Sequence, residues 1–284
     1  MSQHILVIGA TGNVGSALVQ LLSAQGVPVK AATRAPEKYA AQPGVTPVRF
    51  EYDEFATHAS ALEGADRVFL IAKPMEAAPQ KALIPLIDRA NAIGVKHVVL
   101  MTAMGVDQAE GTGMRIAEKH LIASGIPYTI LRPNWFMQNF NPGFLLSALK
   151  QAGAIFVPAG DAKTSFIDTR DIAAVAVKAL SDSAHIGKEY TLTGGEALSY
   201  AEVAAIIASV SGREIRYVAI SDDDMRNALS HLNMPADSIE FMIGLFSIVR
   251  QGWTAPVSPA VAEILGRAPM SFEAFAKEYA AAWR

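Results

Sequence analysis

The chain of 284 residues contains no cysteine. Disulfides, thiolate nucleophiles and zinc–thiolate sites are therefore excluded. It is also poor in charge: 18% of its residues are Asp, Glu, Lys or Arg, and the formal net charge is -3. Lysines and arginines are scattered, so there is neither a basic footprint for nucleic acid nor a polybasic stretch for a membrane surface. No apolar run reaches the ~18 residues that a membrane span requires. The opening MSQHILVIGATG lacks a cationic n-region, and its apolar run stops at glycine, so no secretory signal is read there. The six histidines show no metal-ligand spacing, and no metal site is expected. Together these absences give the expectation of a cytoplasmic protein with no nucleic-acid partner and no membrane partner.

What the chain does have is apolar material, 51% of its residues, enough for a sizeable core. Short β-branched runs alternate with helical patterns through the first half. HILVIG (4–9), PVKAATR (28–34), VTPVRFEY (45–52), RVFLIA (67–72), KHVVLMTA (96–103) and PYTILRP (127–133) read as strands. VGSALVQLLSAQG (14–26), QKALIPLIDRANAIG (80–94) and GMRIAEKHLIASG (113–125) read as helices between them. This alternation predicts an α/β fold with a parallel sheet. HVVLM and RVFLI are apolar throughout, as expected where helices cover both sheet faces. After Pro133 the chain turns rich in aromatics, Met and Leu. Ser199 and Glu202 have the spacing of a capping box at the head of a helix over 199–212.

The stretch IGATGNVG (8–15) ends the first strand and opens the first helix. A strand, then G-x-x-G-x-x-G, then a helix is a dinucleotide-binding arrangement. The glycines permit close backbone approach to a pyrophosphate, and the helix N-terminus offers free N–H groups. Gly9, Thr11, Gly12, Asn13, Val14 and Gly15 are the candidate contacts; the competing reading is a plain tight turn. The second strand ends in AATRAPEK, with Arg34 where an acid would select NAD. Arg34, with Lys38 behind it, points to NADPH as cofactor, NADH remaining possible. The competing reading is an exposed loop arginine.

IGATGNVG, ATRAPEK, LIAKP, HVVLMTAMG, AEKHLIASGIPYTILRPNWFMQNF and SFIDTRDIAAVAV, in this order, resemble the NmrA-like group of atypical short-chain dehydrogenases/reductases. Within it the chain is most similar to NAD(P)H-dependent quinone oxidoreductases and azoreductases, over nearly its whole length. The resemblance implies a doubly wound Rossmann domain, residues 1–133 plus 165–195, and a smaller C-terminal α+β substrate-binding lobe, 134–164 plus 196–284, with a cleft between them. It places Glu51 and Tyr52 near adenine, and Ala72 and Lys73 on the nicotinamide side. It passes Asn134, Trp135, Phe136 and Met137 over the nicotinamide as part of a pocket for a flat, quinone-like or aromatic substrate. The wider superfamily uses Tyr-x-x-x-Lys for proton transfer, but here those positions are Glu110 and Met114. The nearest tyrosine, Tyr128, lies inside a strand.

The catalytic group is therefore unassigned, with Thr102 and Lys73 as candidates. Each has a plain alternative: a strand-end hydroxyl bonding its own backbone, and a solvated loop lysine. Phe136 and Met137 can equally be core, and Trp253 can edge a cleft or pack. Asp168 and Asp171 read as acids favoured at a helix N-terminus, and His120 reads as exposed. Two functions fit: a reductase of quinones or azo compounds, and a non-catalytic sensor of NADP(H) that regulates a partner. A nucleotide-sugar epimerase is disfavoured by the missing tyrosine. Either a monomer or a homodimer is compatible with the sequence.

Overall fold

The computed structural model describes residues 4–284. The elements run β1 (Ile5–Val7), α1 (Asn13–Ala24), β2 (Val29–Thr33), β3 (Val45–Arg49), α2 (Phe55–Leu62), β4 (Arg67–Ile71), α3 (Gln80–Ala92), β5 (His97–Met101), α4 (Gly113–Ala123) and β6 (Tyr128–Pro133). There follow α5 (Leu146–Ala152), β7 (Ala154–Val157), β8 (Lys163–Thr164), α6 (Thr169–Ser181), β9 (Lys188–Leu192), β10 (Leu198–Ser199), α7 (Tyr200–Ser211) and β11 (Arg216–Ala219). Four helices end the chain: α8 (Asp222–His231), α9 (Ala236–Arg250), α10 (Ala260–Leu265) and α11 (Phe272–Tyr279).

The chain divides into two compact units, Met1–Pro133 with Thr169–Thr191, and Asn134–Asp168 with Leu192–Arg284. The first is built on a seven-stranded sheet of order β3-β2-β1-β4-β5-β6-β9. The paired strands from β3 to β6 are all parallel. This is the doubly wound Rossmann-type α/β fold: the order reverses at β1, and the crevice outside the carboxyl ends of the strands at that point is where such folds bind ligands. All five residues of β5 are buried, as its unbroken apolar run requires of a strand covered on both faces. One core layer joins Leu6, Ile8, Leu70 and Leu100 to Leu83, Ile87 and Leu121 of α3 and α4; α1 packs against α6.

The second unit holds two small sheets, antiparallel β8–β10 and parallel β7–β11, with helices α5 and α7 to α11. Its core gathers Phe140, Phe166, Tyr200, Phe246, Phe272, Phe275 and Trp283, all under 3% exposed. The capping box at the head of α7 is formed in full: the Glu202 N–H donates to Ser199 Oγ (3.2 Å), and Glu202 Oε2 accepts from the Ser199 N–H (2.7 Å). No helix among the described residues is long and apolar enough to cross a membrane.

Candidate active site

At the carboxyl ends of β1 to β4 lies a cavity of about 440 Å³. Three of its walls are loops that the parallel topology brings together: Gly9, Thr11 and Gly12 after β1, Ala32, Thr33 and Arg34 at the end of β2, and Ile71 to Pro74 after β4. The fourth is Phe50 to Asp53 after β3.

The glycines of the first loop differ in what they do. Gly9 holds φ +77, and a Cβ there would lie 2.9 Å from Ile71 Cγ2. At Gly15 a Cβ would come within 2.1 Å of the Gly9 carbonyl oxygen, so this glycine lets α1 sit tight on the loop. At Gly12 the one neighbour is the Gly9 oxygen at 3.3 Å, and a longer side chain would enter the cradle itself. Gly12 is also the N-cap of α1, and no side chain caps the helix. Its first N–H groups thus stand open at the positive end of the helix dipole. Val14 and Gly15 are buried, so they offer backbone alone. The arrangement fits the pyrophosphate of a dinucleotide.

The Arg34 side chain lines the same cavity and has no partner among the described residues. Lys38 is exposed in a short 3-10 turn outside the cavity wall. Tyr52 donates its hydroxyl to the Ile71 carbonyl at 2.8 Å, and burial raises the phenol's pKa. Lys73 is exposed on the rim, where its ammonium donates to Asp53 at 3.1 Å. That contact raises the Lys73 pKa.

Thr102, at the end of β5, is buried rather than open. Its hydroxyl donates to Glu118 Oε1 at 2.6 Å. Glu118, on α4, is 0% exposed and also accepts from Arg132 Nε (2.9 Å), Arg132 Nη2 (2.8 Å) and Arg115 Nη1 (3.0 Å). Arg132 donates further to Glu189 at 2.5 Å. Burial opposes the charge of Arg132, but its bonds to Glu118 and Glu189 outweigh that and raise its pKa. The single proton of the Thr102 hydroxyl is spent inside this network, which corrects the expectation of a free donor. Tyr128 is half-buried in β6, and Glu110 pairs with Arg115 and Lys119.

The segment after β6 turns inward in part. Asn134 is buried and its amide donates to Ser165 Oγ (2.8 Å) and to the Thr254 carbonyl (2.8 Å). Met137 is a core residue, 1% exposed. Their side chains support the second unit from within instead of lining a surface. Trp135 and Phe136 remain partly exposed, with the Trp135 ring 5.0 Å from Phe246. Trp253 stands 56% exposed. Asp168 and Asp171 are buried at the head of α6. His120 is half-buried, not fully exposed, with Nε2 2.6 Å from Asp88.

Sequence reasoning missed Thr33, Phe50 and Asp53 in the cavity wall, and the Glu118 network beside it. A signal for the latter existed: Glu118 falls on the helical stripe of Ala117 and Leu121, where an unpaired carboxylate would be costly.

The fold and this crevice define a dinucleotide-binding protein of the Rossmann type. Residues 1–276 match the model of the NmrA-like family, and the chain belongs to that family. It is 36% identical to the NAD(P)H azoreductase of Xenophilus azovorans, over 98% of this chain and 99% of the relative. The solved NADPH-dependent quinone oxidoreductase from Escherichia coli, complexed with NADPH, superposes with a TM-score of 0.84 at 27% identity, covering 96% of this chain and 99% of that one. NmrA, a negative transcriptional regulator in complex with NADP, shares the fold: TM-score 0.78, 17% identity, 98% and 95% coverage.

Proposed function

We propose that this chain is an NADPH-dependent reductase that passes hydride to a quinone or similar flat, electron-poor acceptor, azo compounds included. The observation that carries the reading is the cavity at the β1 switch point, where an uncapped helix N-terminus and a partnerless arginine face the same space. Family membership and oxidoreductase relatives over almost the full chain support it.

In this reading the first unit holds the dinucleotide and the second receives the acceptor. Gly9, Thr11 and Gly12, with the N–H groups of Asn13 to Gly15, take the pyrophosphate. Arg34 takes the 2'-phosphate by charge-assisted hydrogen bonds. Glu51, Tyr52 and Ala72 wall the cavity around the nucleotide. Bound NADPH supplies the hydride. Trp135 and Phe136 offer rings for stacking on a flat acceptor. A quinone or azo group delocalises the incoming charge, so water can supply the proton and no strong acid is needed from the chain. That agrees with a site in which the Thr102 proton is held by Glu118 and the Tyr-x-x-x-Lys pair is absent. The protein's contribution is positioning and exclusion of water.

The test is steady-state consumption of NADPH across a panel of quinones and azo dyes. Turnover with flat acceptors and none with simple aldehydes or ketones is expected. The second reading, a sensor that binds NADP(H) without turnover, rests on the same missing tyrosine; it requires tight binding and no oxidation with any acceptor.

A further inference from the structure

Strands β3 and β4 are not neighbours: β2 and β1 lie between them in the sheet. Yet the extensions of β3 and β4 touch at two points. Tyr52 Oη donates to the Ile71 carbonyl at 2.8 Å, and Lys73 Nζ donates to Asp53 Oδ2 at 3.1 Å. Both links therefore pass over the carboxyl ends of β2 and β1, where Gly9, Gly12 and Arg34 line the cavity. The two links differ in kind. The Tyr52 link is largely buried and its ring meets Phe50 edge-on at 5.0 Å, so it belongs to the fixed wall. The Asp53–Lys73 link is exposed, at 77% and 49% of the two side chains. Lys73 also begins a loop in which Met75 takes φ +59, a left-handed conformation that L side chains rarely hold. Backbone strain of this kind concentrates where a segment changes conformation in function.

We propose that Asp53 and Lys73 form a clasp over the dinucleotide cavity that sets how fast bound cofactor leaves. The proposal rests on the reading of the cavity as an NADPH site. With the clasp closed, the β3 and β4 loops are tied across the nucleotide; release requires the ion pair to part and the loop from Lys73 to swing on its turn at Met75. The ammonium of Lys73 is then a holder of Asp53, not a ligand of the cofactor's phosphates. An exposed pair contributes modestly, so the clasp tunes residence without deciding whether the cofactor binds.

The experiment is stopped-flow release of NADPH from the full chain, chased with excess NADP+, for wild type, Asp53→Asn, Lys73→Met and the double variant. Thermal melts confirm that each is folded. Each single change should speed release roughly two- to fivefold, the range of an exposed ion pair. The double variant should release no faster than the faster single one. Added salt should speed release from wild type more than from the double variant, which keeps only the phosphate contacts for salt to screen. The proposal is overturned if Asp53→Asn releases at the wild-type rate or more slowly. It is equally overturned if Lys73→Met weakens binding as much in the Asp53→Asn background as alone, since Lys73 would then contact the cofactor itself. A wild type that binds no NADPH removes the cofactor reading and the clasp together, whereas tight wild-type binding with unaltered variants removes the clasp alone.

Discussion

Thr102 and Glu118 are joined by a 2.6 Å hydrogen bond in which the threonine hydroxyl is the donor. Both are buried, and the carboxylate accepts three further bonds from two arginines. An ionised carboxylate can only accept, so this relationship fixes the direction of the Thr102 proton. Thr102→Val should then leave turnover within a few fold of wild type, because loss of a true general acid costs ~10²–10⁴ in rate. Glu118→Ala should instead leave buried Arg132 with Glu189 as its one carboxylate and destabilise the fold, by less than the about 3–5 kcal/mol that breaking a buried pair from one side costs. Chemical denaturation with matched kinetics separates the two effects.

The glycines of the first loop give a paired expectation. Gly15→Ala drives a Cβ into the Gly9 carbonyl oxygen, nominally 2.1 Å away, and should lower the melting temperature. Gly12→Val should leave the melting temperature near wild type and abolish NADPH binding, since its branches enter the open cradle. Calorimetric titration beside thermal melts tests both; a well-folded Gly12→Val with undiminished affinity would reduce the loop to a turn.

In the proposed reading Arg34 sets the choice between nucleotides. Arg34→Glu should weaken NADPH binding by roughly ten- to a hundredfold, as loss of a charge-assisted contact of about 1.5–3 kcal/mol implies. NADH, which lacks the 2'-phosphate, should lose little or gain. Dissociation constants for both dinucleotides, before and after the change, check this; an unaltered ratio contradicts it.

Buried His97 on β5 gives an expectation for acid. Thr129 donates its hydroxyl to the His185 carbonyl (2.7 Å), so it accepts from His97 Nε2 at 2.9 Å. Burial first, then the charge of Arg67, lowers the His97 pKa to about 4. The unfolded chain takes up this proton near pH 6.5 and the folded one only near 4. The stabilisation from a neutral His97 is therefore complete above pH 6.5 and is lost as pH falls towards 4. The slope cannot exceed one proton, about 1.4 kcal/mol per pH unit. Melting temperatures from pH 7 to 4 should fall less steeply for His97→Gln than for wild type; identical slopes would contradict the assignment.

The βα alternation and the glycine loop were legible in the sequence because each rests on local periodicity or a turn that only glycine allows. So was the Ser199–Glu202 capping box, where a three-residue spacing carries the whole signal. β7 (AIFV) was not, because a four-residue apolar run reads as core of any kind. The Glu118–Arg132–Glu189 network joins residues 14 and 57 positions apart; tertiary packing alone brings them together. Asn134, which the resemblance puts in the pocket, bonds Ser165 and Thr254. No periodicity in the sequence tells a support from a ligand contact.

Single-turnover mixing of the NADPH complex with a quinone tests the central claim most directly. The account predicts loss of the reduced-nicotinamide absorbance in step with hydroquinone formation, one for one. Tight NADPH binding with no oxidation by any quinone or azo dye would contradict it and leave a sensor of NADP(H) in its place.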